Sequence, residues 1–532
     1  VGSPPTLRVP MATLRVRPAG ALVSTRGHRV AHRRAARRLA ARSDYSTNDR
    51  DVSVEKPPSD DGAKQTPVKK VVVIGGGLAG LGCLASLSGH KHINATLLES
   101  TRVLGGRVRS KAALGALAWD QGASYFTAKD PSTPFAEVLR KGRADGVVEL
   151  WAGGDASPGA RVGTMGTKEE AGGHVLDESS WEPFAASKEL YVGVPSMAEL
   201  PVFVAEKVAN AVRPEASWLG ANAVPGTPEY LTNAFADRIQ ALRTQDTGAW
   251  PANVPHSGSD RNWGLMIRCR EGGHMWYKPW ESDVVVLATQ APAAAKLTAQ
   301  ILKSVGADGD GGDGYGIASK ILAMASAADR IRGNHCWSLT VAFAEPLNLS
   351  YEGVMMKEPF DGGIAWFANN SSKPGRPEPG KGKGAQTAGW AYRWAEVGTS
   401  LTVGQGECWV VQASPEWSNE RAEMSPDDAA KELCDAFLKL VGRSESEVKP
   451  VHVKAVIWKF AYPLNPAGDP SDDSKRYLFD PDLGLGACGD WTSGPRAGDA
   501  YDSGVALGRA VAEHLASKLN QKETSESEGK AR

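Results

Sequence analysis

Three glycines, two acids and an arginine carry the clearest chemistry in this sequence. The apolar run 71–74 leads into Gly75-x-Gly77-x-x-Gly80, then a small-residue segment, a second apolar run ending on Glu99, and Gly105-Gly106-Arg107. This spacing suits a dinucleotide. Gly75 permits a tight turn, Gly77 lets the backbone approach a pyrophosphate, and Gly80 lets a helix close on the strand. The pyrophosphate would face the helix start at Leu78 and Ala79, where amide N–H groups and the dipole favour negative charge. Glu99, 19 residues past Gly80, is placed to accept hydrogen bonds from an adenosine ribose. A carboxylate there repels a 2′-phosphate and argues against NADP. Gly106 and Arg107 would add flexible backbone and a fixed cation beside the same phosphates.

A second cluster lies near the other end of the chain. GACGDW at 486–491 is followed by Asp502-Ser503-Gly504. Gly489 and Asp490 are expected at the C-terminal edge of a strand, where ligands of open sheets gather. A helix over 503–519, starting at Ser503, would aim its positive end at an isoalloxazine and favour negative charge on the reduced ring. The glycine pattern by itself is weak: it recurs at Gly309-x-Gly311-x-x-Gly314 and at Gly484-x-Gly486-x-x-Gly489. Neither copy has a strand before it and a helix after it.

The elements that must position these residues can be read from pattern and composition. Strand-like apolar runs lie at 283–289, 337–343, 363–368, 408–413 and 455–460, and helical patterns at 197–212, 426–442 and 503–519. The order is strand, helix and strand, a long mixed middle, then a strand and helix. It predicts an α/β nucleotide domain interrupted by a sheet-rich domain. Segments 152–175, 244–262, 306–316 and 373–387, rich in Gly, Pro, Ser or charge, read as loops or insertions. The tail 520–532 reads as disordered.

The 532 residues hold 61 Lys and Arg against 61 Asp and Glu. Residues 1–43 contain ten Arg, no Lys and no acid, so the remainder has a net charge of −10. Such a body is a poor polyphosphate binder and excludes nucleic acid as an expected partner. The Arg- and Ala-rich start reads as an organelle transit peptide, with Met11 the expected initiator and 44–69 a polar linker. No integral membrane segment is expected: the uncharged span 71–89 carries six glycines and suits a nucleotide turn. Six cysteines lie scattered without a C-x-x-C pair, which argues against a disulfide framework or a zinc site. The ten histidines form no evident triad or metal cluster, so no catalytic acid or base is named.

Taken together, the motifs resemble the renalase-like branch of the FAD-dependent amine oxidase superfamily. The resemblance runs over about residues 70–517. It is carried by GGGLAG, LLES and LGGRVRS, by DQGASYFT at 120–127, YVGVPSMAEL at 191–200 and DVVVLATQAP, and by AWFANNSSKPGR at 365–376, ASPEWS, WKFAYP and GACGDW. It implies an FAD/NAD(P)-binding Rossmann-like domain (p-hydroxybenzoate-hydroxylase-like) with an inserted, mostly β substrate domain. The expected boundaries are 70–128 for the first nucleotide part, 129–282 for a mixed segment including the helix 197–212, and 283–292 for a return strand. The substrate domain would follow at 293–480 and the last nucleotide part at 481–519. It implies non-covalent FAD, a small-molecule electron donor such as a dihydro-NAD(P) isomer, and O2 as acceptor with hydrogen peroxide as product. Carried over by position, Gly75, Gly77 and Gly80 would meet the pyrophosphate, Glu99 the ribose, Arg107 the phosphates and Asp490 the ribitol chain or phosphate. The backbone of Val224 would meet the adenine. The analogy favours a chloroplast over a mitochondrion. Two alternatives stay open: an amine oxidase or pigment-precursor desaturase, and a flavin-binding scaffold without turnover. Trp366, Trp417, Trp458 and Trp491 lie in matched motifs, either as an aromatic wall facing a flavin or as sheet core.

Overall fold

The computed structural model describes residues 68–113, 117–128, 130–156, 159–170, 173–185, 187–211, 225–241, 261–271, 274–305, 313–358, 362–376 and 407–531. Runs of Val, Ile and Leu too short for helices pair side by side into a seven-stranded sheet. Its order is Tyr477–Asp480, Leu485–Cys488, Val284–Leu287, Lys69–Ile74, Ile93–Leu98, Glu229–Leu231 and Asn210–Ala211. All neighbours are parallel except the first pair.

The central strands are apolar throughout because both of their faces are covered. Val71, Val73, Val284 and Val286 pack towards the helices Leu78–Leu87, Glu199–Val208 and Ala497–Ala531. Val72, Ile74, Val285 and Leu287 pack the other way, against a three-stranded meander (Ala234–Ala241, Trp263–Glu271, His274–Ser282) and the helices Ala291–Ser304 and Asp313–Asp329. Each such fully buried side chain contributes about 1.5–3 kcal/mol. At the start of the two central strands, the end opposite the glycine turn, Asp283 accepts from Lys69 Nζ at 3.0 Å, from the Lys70 amide at 2.7 Å and from Arg261.

The second sheet runs Pro450–Pro463, Gly333–Phe343, Glu407–Ala413, Ile364–Asn369, Gly353–Met356, Val162–Glu170 and Gly173–Pro183. The amphipathic helix Pro426–Leu440 covers one face, with Phe437 against Phe343, Phe367 and Trp409. On the other face Trp366 and Ala368 join the core of the parallel-sheet unit. The fold is therefore a Rossmann-like α/β unit with a separate, mostly β sheet unit.

Several sequence expectations need correction. Segment 152–175 is not a plain insertion, since it holds the strand Val162–Glu170 and the start of Gly173–Pro183. An edge hairpin with solvent on one side keeps Gly, Ser and charge, which hides its period. The helices at 291–329 belong with the parallel sheet and not with the second sheet, so the boundary at 293 is misplaced. The boundary at 480 also moves, because Tyr477–Asp480 is already in the parallel sheet. The helix expected over 197–212 spans Glu199–Val208, and Asn210–Ala211 forms an edge strand. Asp313, expected in a loop, begins a helix. The tail is helical through Ala531, part of a helix that begins at Ala497 and not at Ser503. Residues 1–67 and most of 244–262 and 373–387 lie outside the described residues.

Candidate nucleotide site

The strand Lys69–Ile74 ends in a turn whose glycines have separable duties. Gly75 has φ of +116°, and a Cβ there would lie 2.4 Å from the Ala288 carbonyl oxygen. A Cβ on Gly80 would lie 1.9 Å from the Gly75 oxygen. Both positions are needed for the chain to close on itself. Gly77 differs: its backbone is extended (φ −74°, ψ 178°), and a Cβ would meet nothing within 4 Å. It caps the helix Leu78–Leu87, which has no side-chain cap and no acid in its first turn. The amide groups at Leu78 and Ala79 thus present the positive end of the helix dipole beside an open cradle.

Glu99 closes one side. Its Oε2 accepts from the Gly76 amide at 2.9 Å and its Oε1 from the Thr101 amide at 2.7 Å. A carboxylate has about four acceptor positions, so both oxygens keep capacity for ribose hydroxyls. The Gly105–Gly106 turn, with φ of +112° and +57°, folds back so that the Gly105 amide donates to Gly76 O at 2.8 Å. Gly106 sits against Gly77, since a Cβ on Gly106 would lie 3.4 Å from the Gly77 Cα.

Arg107 has a different first duty from that expected. Its Nη1 donates to Asp490 Oδ2 at 2.7 Å and to the carbonyls of Ala461 (2.7 Å) and Phe460 (3.4 Å). It therefore ties the nucleotide turn to the C-terminal segment and to the second sheet. Asp490 opens the short helix Asp490–Ser493 directly after the strand Leu485–Cys488. Phe460 has φ of +59°, a left-handed conformation for a bulky residue. Its carbonyl is also held by Gln290 Nε2 at 3.2 Å, and its amide donates to His335 Nδ1 at 3.2 Å.

Ser503 lies inside the helix Ala497–Ala531, fully buried. Its hydroxyl accepts from the Gly489 amide at 3.0 Å and donates to Arg476 O at 2.7 Å. It shapes the Gly489 turn from behind and does not head a helix. Val224 lies outside the described residues. The remaining predicted residues, Gly75 to Gly80, Glu99, Gly106, Arg107, Gly489 and Asp490, form one connected cluster.

Sequence reasoning missed what holds residues 120–126. Asp120 is buried and accepts from Lys373 Nζ (2.9 Å), Arg376 Nη2 (2.6 Å) and Ser110 Oγ (2.6 Å). The sequence places Lys373 and Arg376 at the start of the loop or insertion 373–387, because Asn, Ser, Pro and Gly surround them; both are buried. The available signal was that DQGASYFT and AWFANNSSKPGR each carry charge among apolar and small residues. The tryptophans divide. Trp366, Trp417 and Trp491 are core and Trp458 is half-buried; Trp366 Nε1 also donates to Ser124 Oγ at 3.1 Å and Trp458 Nε1 to Gln121 O at 2.8 Å.

Comparison with known proteins agrees with this architecture. Residues 73–141 match the family model of an NAD(P)-binding Rossmann-like domain. Among solved structures, cyclohexylamine oxidase from Brevibacterium oxydans IH-35A is similar with a TM-score of 0.50 at 11% identity, over 85% of this chain and 100% of that one. An oxidoreductase from Methanosarcina mazei aligns with a TM-score of 0.46 at 13% identity, over 83% of this chain and 99% of that one. A candidate protoporphyrinogen oxidase from Exiguobacterium sp. 255-15 aligns with a TM-score of 0.46 at 10% identity, over 84% and 98%. The chain thus shares the fold of that cyclohexylamine oxidase, and its Rossmann-like match falls on the strand and glycine turn described above. Among the described residues no helix is long and apolar enough to cross a membrane.

Proposed function

We propose that this protein is an FAD-dependent oxidoreductase, an O2-using oxidase of a reduced nicotinamide (a dihydro-NAD(P) isomer) or a similar small planar donor. The observation that carries the reading is Gly77, the one glycine of its turn whose missing side chain answers no contact inside the protein. Space for a ligand, an uncapped helix start and a buried carboxylate converge there, and they suit the pyrophosphate and ribose of an ADP moiety. The amides at Leu78 and Ala79 would bind the pyrophosphate and Glu99 would orient the ribose. Arg107 and Asp490 would fix the wall on the substrate side. When bound, the flavin supplies a two-electron acceptor, so no acid–base residue of the chain is required for that step. No cysteine motif suggests a covalent link. The preference for a nicotinamide donor rests on the family resemblance and on the sequence offering one complete dinucleotide turn. The cyclohexylamine oxidase fold favours a second reading, oxidation of an amine.

The purified chain should be yellow and should release free flavin on acid precipitation. A colourless protein that takes up no added FAD would refute the reading. We also propose import into an organelle, the chloroplast before the mitochondrion, on the strength of the acid-free, Arg-rich start.

A further inference from the structure

Asp120, Lys373 and Arg376 form a charge cluster sealed from solvent, with side-chain exposures of 1%, 0% and 1%. Both cations converge on the same oxygen, Asp120 Oδ2, at 2.9 and 2.6 Å. Oδ1 is taken by Ser110 Oγ and, at 3.2 Å, by the Met197 amide. Lys373 Nζ also donates to Ser124 O at 2.8 Å, and Arg376 Nη1 to Gly193 O at 2.7 Å. Among the described residues, Asp120 is the carboxylate that contacts either cation, so the cluster carries one positive charge in excess. Arg376 Nε is buried with no hydrogen-bond partner. Leaving charge uncompensated in a dry interior is costly, and a fold serving stability alone would do better with apolar side chains.

The location suggests what the charge serves. The segment 120–126 runs beside the candidate site, where the Ala123 amide donates to Arg107 O at 3.1 Å and a Cβ on Gly122 would lie 1.9 Å from that oxygen. From the second sheet, Trp366 holds Ser124, Gln412 Nε2 donates to Gly122 O at 2.8 Å, and Trp458 holds Gln121. The cluster sits at the seam of the two units, behind the wall that Arg107 completes.

We propose that Asp120, Lys373 and Arg376 form a charge-bearing positioning site, which fixes segment 120–126 against the nucleotide turn and favours the reduced, more negative form of the cofactor held there. This rests on the FAD reading above. The charged groups facing Lys373 are Asp120 and Arg376; burial is the main cause that lowers its pKa to about 8. The excess charge is therefore present at pH 7 and lost as pH rises through about 8.

The test is the midpoint potential of FAD bound to the full chain, measured from pH 6.5 to 9 in wild type, Lys373→Met and Lys373→Arg. Wild type should show an extra downward step near pH 8. Lys373→Met should lie below wild type at pH 7 without that step, the gap closing above pH 8. Lys373→Arg should keep the high potential and also lack the step, because arginine does not titrate there. If Lys373→Met does not fold, the pH profiles of wild type and Lys373→Arg still decide the matter, and identical slopes overturn the proposal. Equal potentials in wild type and Lys373→Met would also overturn it. A wild-type chain that binds no FAD removes the functional reading itself, a distinguishable result.

Discussion

Arg107 and Asp490 stand 383 positions apart in sequence, yet Arg107 Nη1 lies 2.7 Å from Asp490 Oδ2. This contact joins the turn after the strand Ile93–Leu98 to the turn after the strand Leu485–Cys488, and the same guanidinium reaches the carbonyls of Phe460 and Ala461 on the second sheet. Replacing Arg107 by Met leaves the Asp490 carboxylate, 5% exposed, without its cation. We expect a loss of about 3 kcal/mol in urea unfolding, the low end for a broken buried pair because Arg107 is partly exposed, together with weakened FAD retention. An unchanged unfolding midpoint would show the pair to be incidental.

Gly77 and Gly80 separate ligand binding from folding. In Gly77→Ala the new methyl meets no protein atom within 4 Å, and φ of −74° suits alanine. Its melting temperature without FAD should match wild type, while FAD affinity falls at least tenfold. Gly80→Ala drives a methyl to 1.9 Å from Gly75 O and should destabilise the apoprotein itself. Equal FAD affinity in Gly77→Ala and wild type would contradict the cradle.

Much of the nucleotide turn was legible because apolar runs, glycine spacing and Glu99 act locally. Other features depend on partners distant in sequence. The sequence places the start of the last helix at Ser503, where Ser503-Gly504 reads as a helix start, but the helix begins at Ala497. In the fold small residues let helices touch: a Cβ on Gly504 would lie 1.9 Å from Ala79 O, and one on Gly82 2.3 Å from Tyr501 O. Lys373 and Arg376 were hidden for the opposite reason, since charge beside Pro and Gly normally marks a surface, and only Asp120 across the seam explains their burial. The polar hairpin at 162–183 was missed because edge strands need no apolar alternation on their wet face.

Asp502 gives a pH test of stability. Its Oδ1 accepts from the Phe135 amide at 2.8 Å, at the start of the helix Pro134–Ala144. Burial is the main cause that raises its pKa to about 6. The folded state therefore holds this proton more tightly than the unfolded chain. The stability it contributes is full below the ordinary carboxylate range and is lost as pH rises through about 6. Asp502→Asn keeps the acceptor without the charge. It should stabilise the protein by up to about 2 kcal/mol at pH 7.5, a gain that shrinks towards pH 4. A pH-independent difference in thermal midpoint would refute this origin.

Import can be tested independently of chemistry. Residues 11–70 fused to a fluorescent reporter should direct it to a plastid, with the mature chain beginning between about Ser43 and Lys69, ahead of the first strand at Lys69–Ile74. Diffuse cytosolic signal would refute targeting, and mitochondrial signal would change the compartment alone.

Mixing the FAD-loaded full chain anaerobically with single donors (dihydro-NAD isomers, cyclohexylamine, polyamines and porphyrinogens) identifies the donor. We expect rapid bleaching of the flavin absorbance by a dihydro-NAD isomer, and recovery of the yellow colour with hydrogen peroxide formed when O2 is admitted. Bleaching by an amine or a porphyrinogen alone would replace the donor. No bleaching by any donor in a protein that photoreduces normally would rule out an oxidase and leave a flavin-binding scaffold.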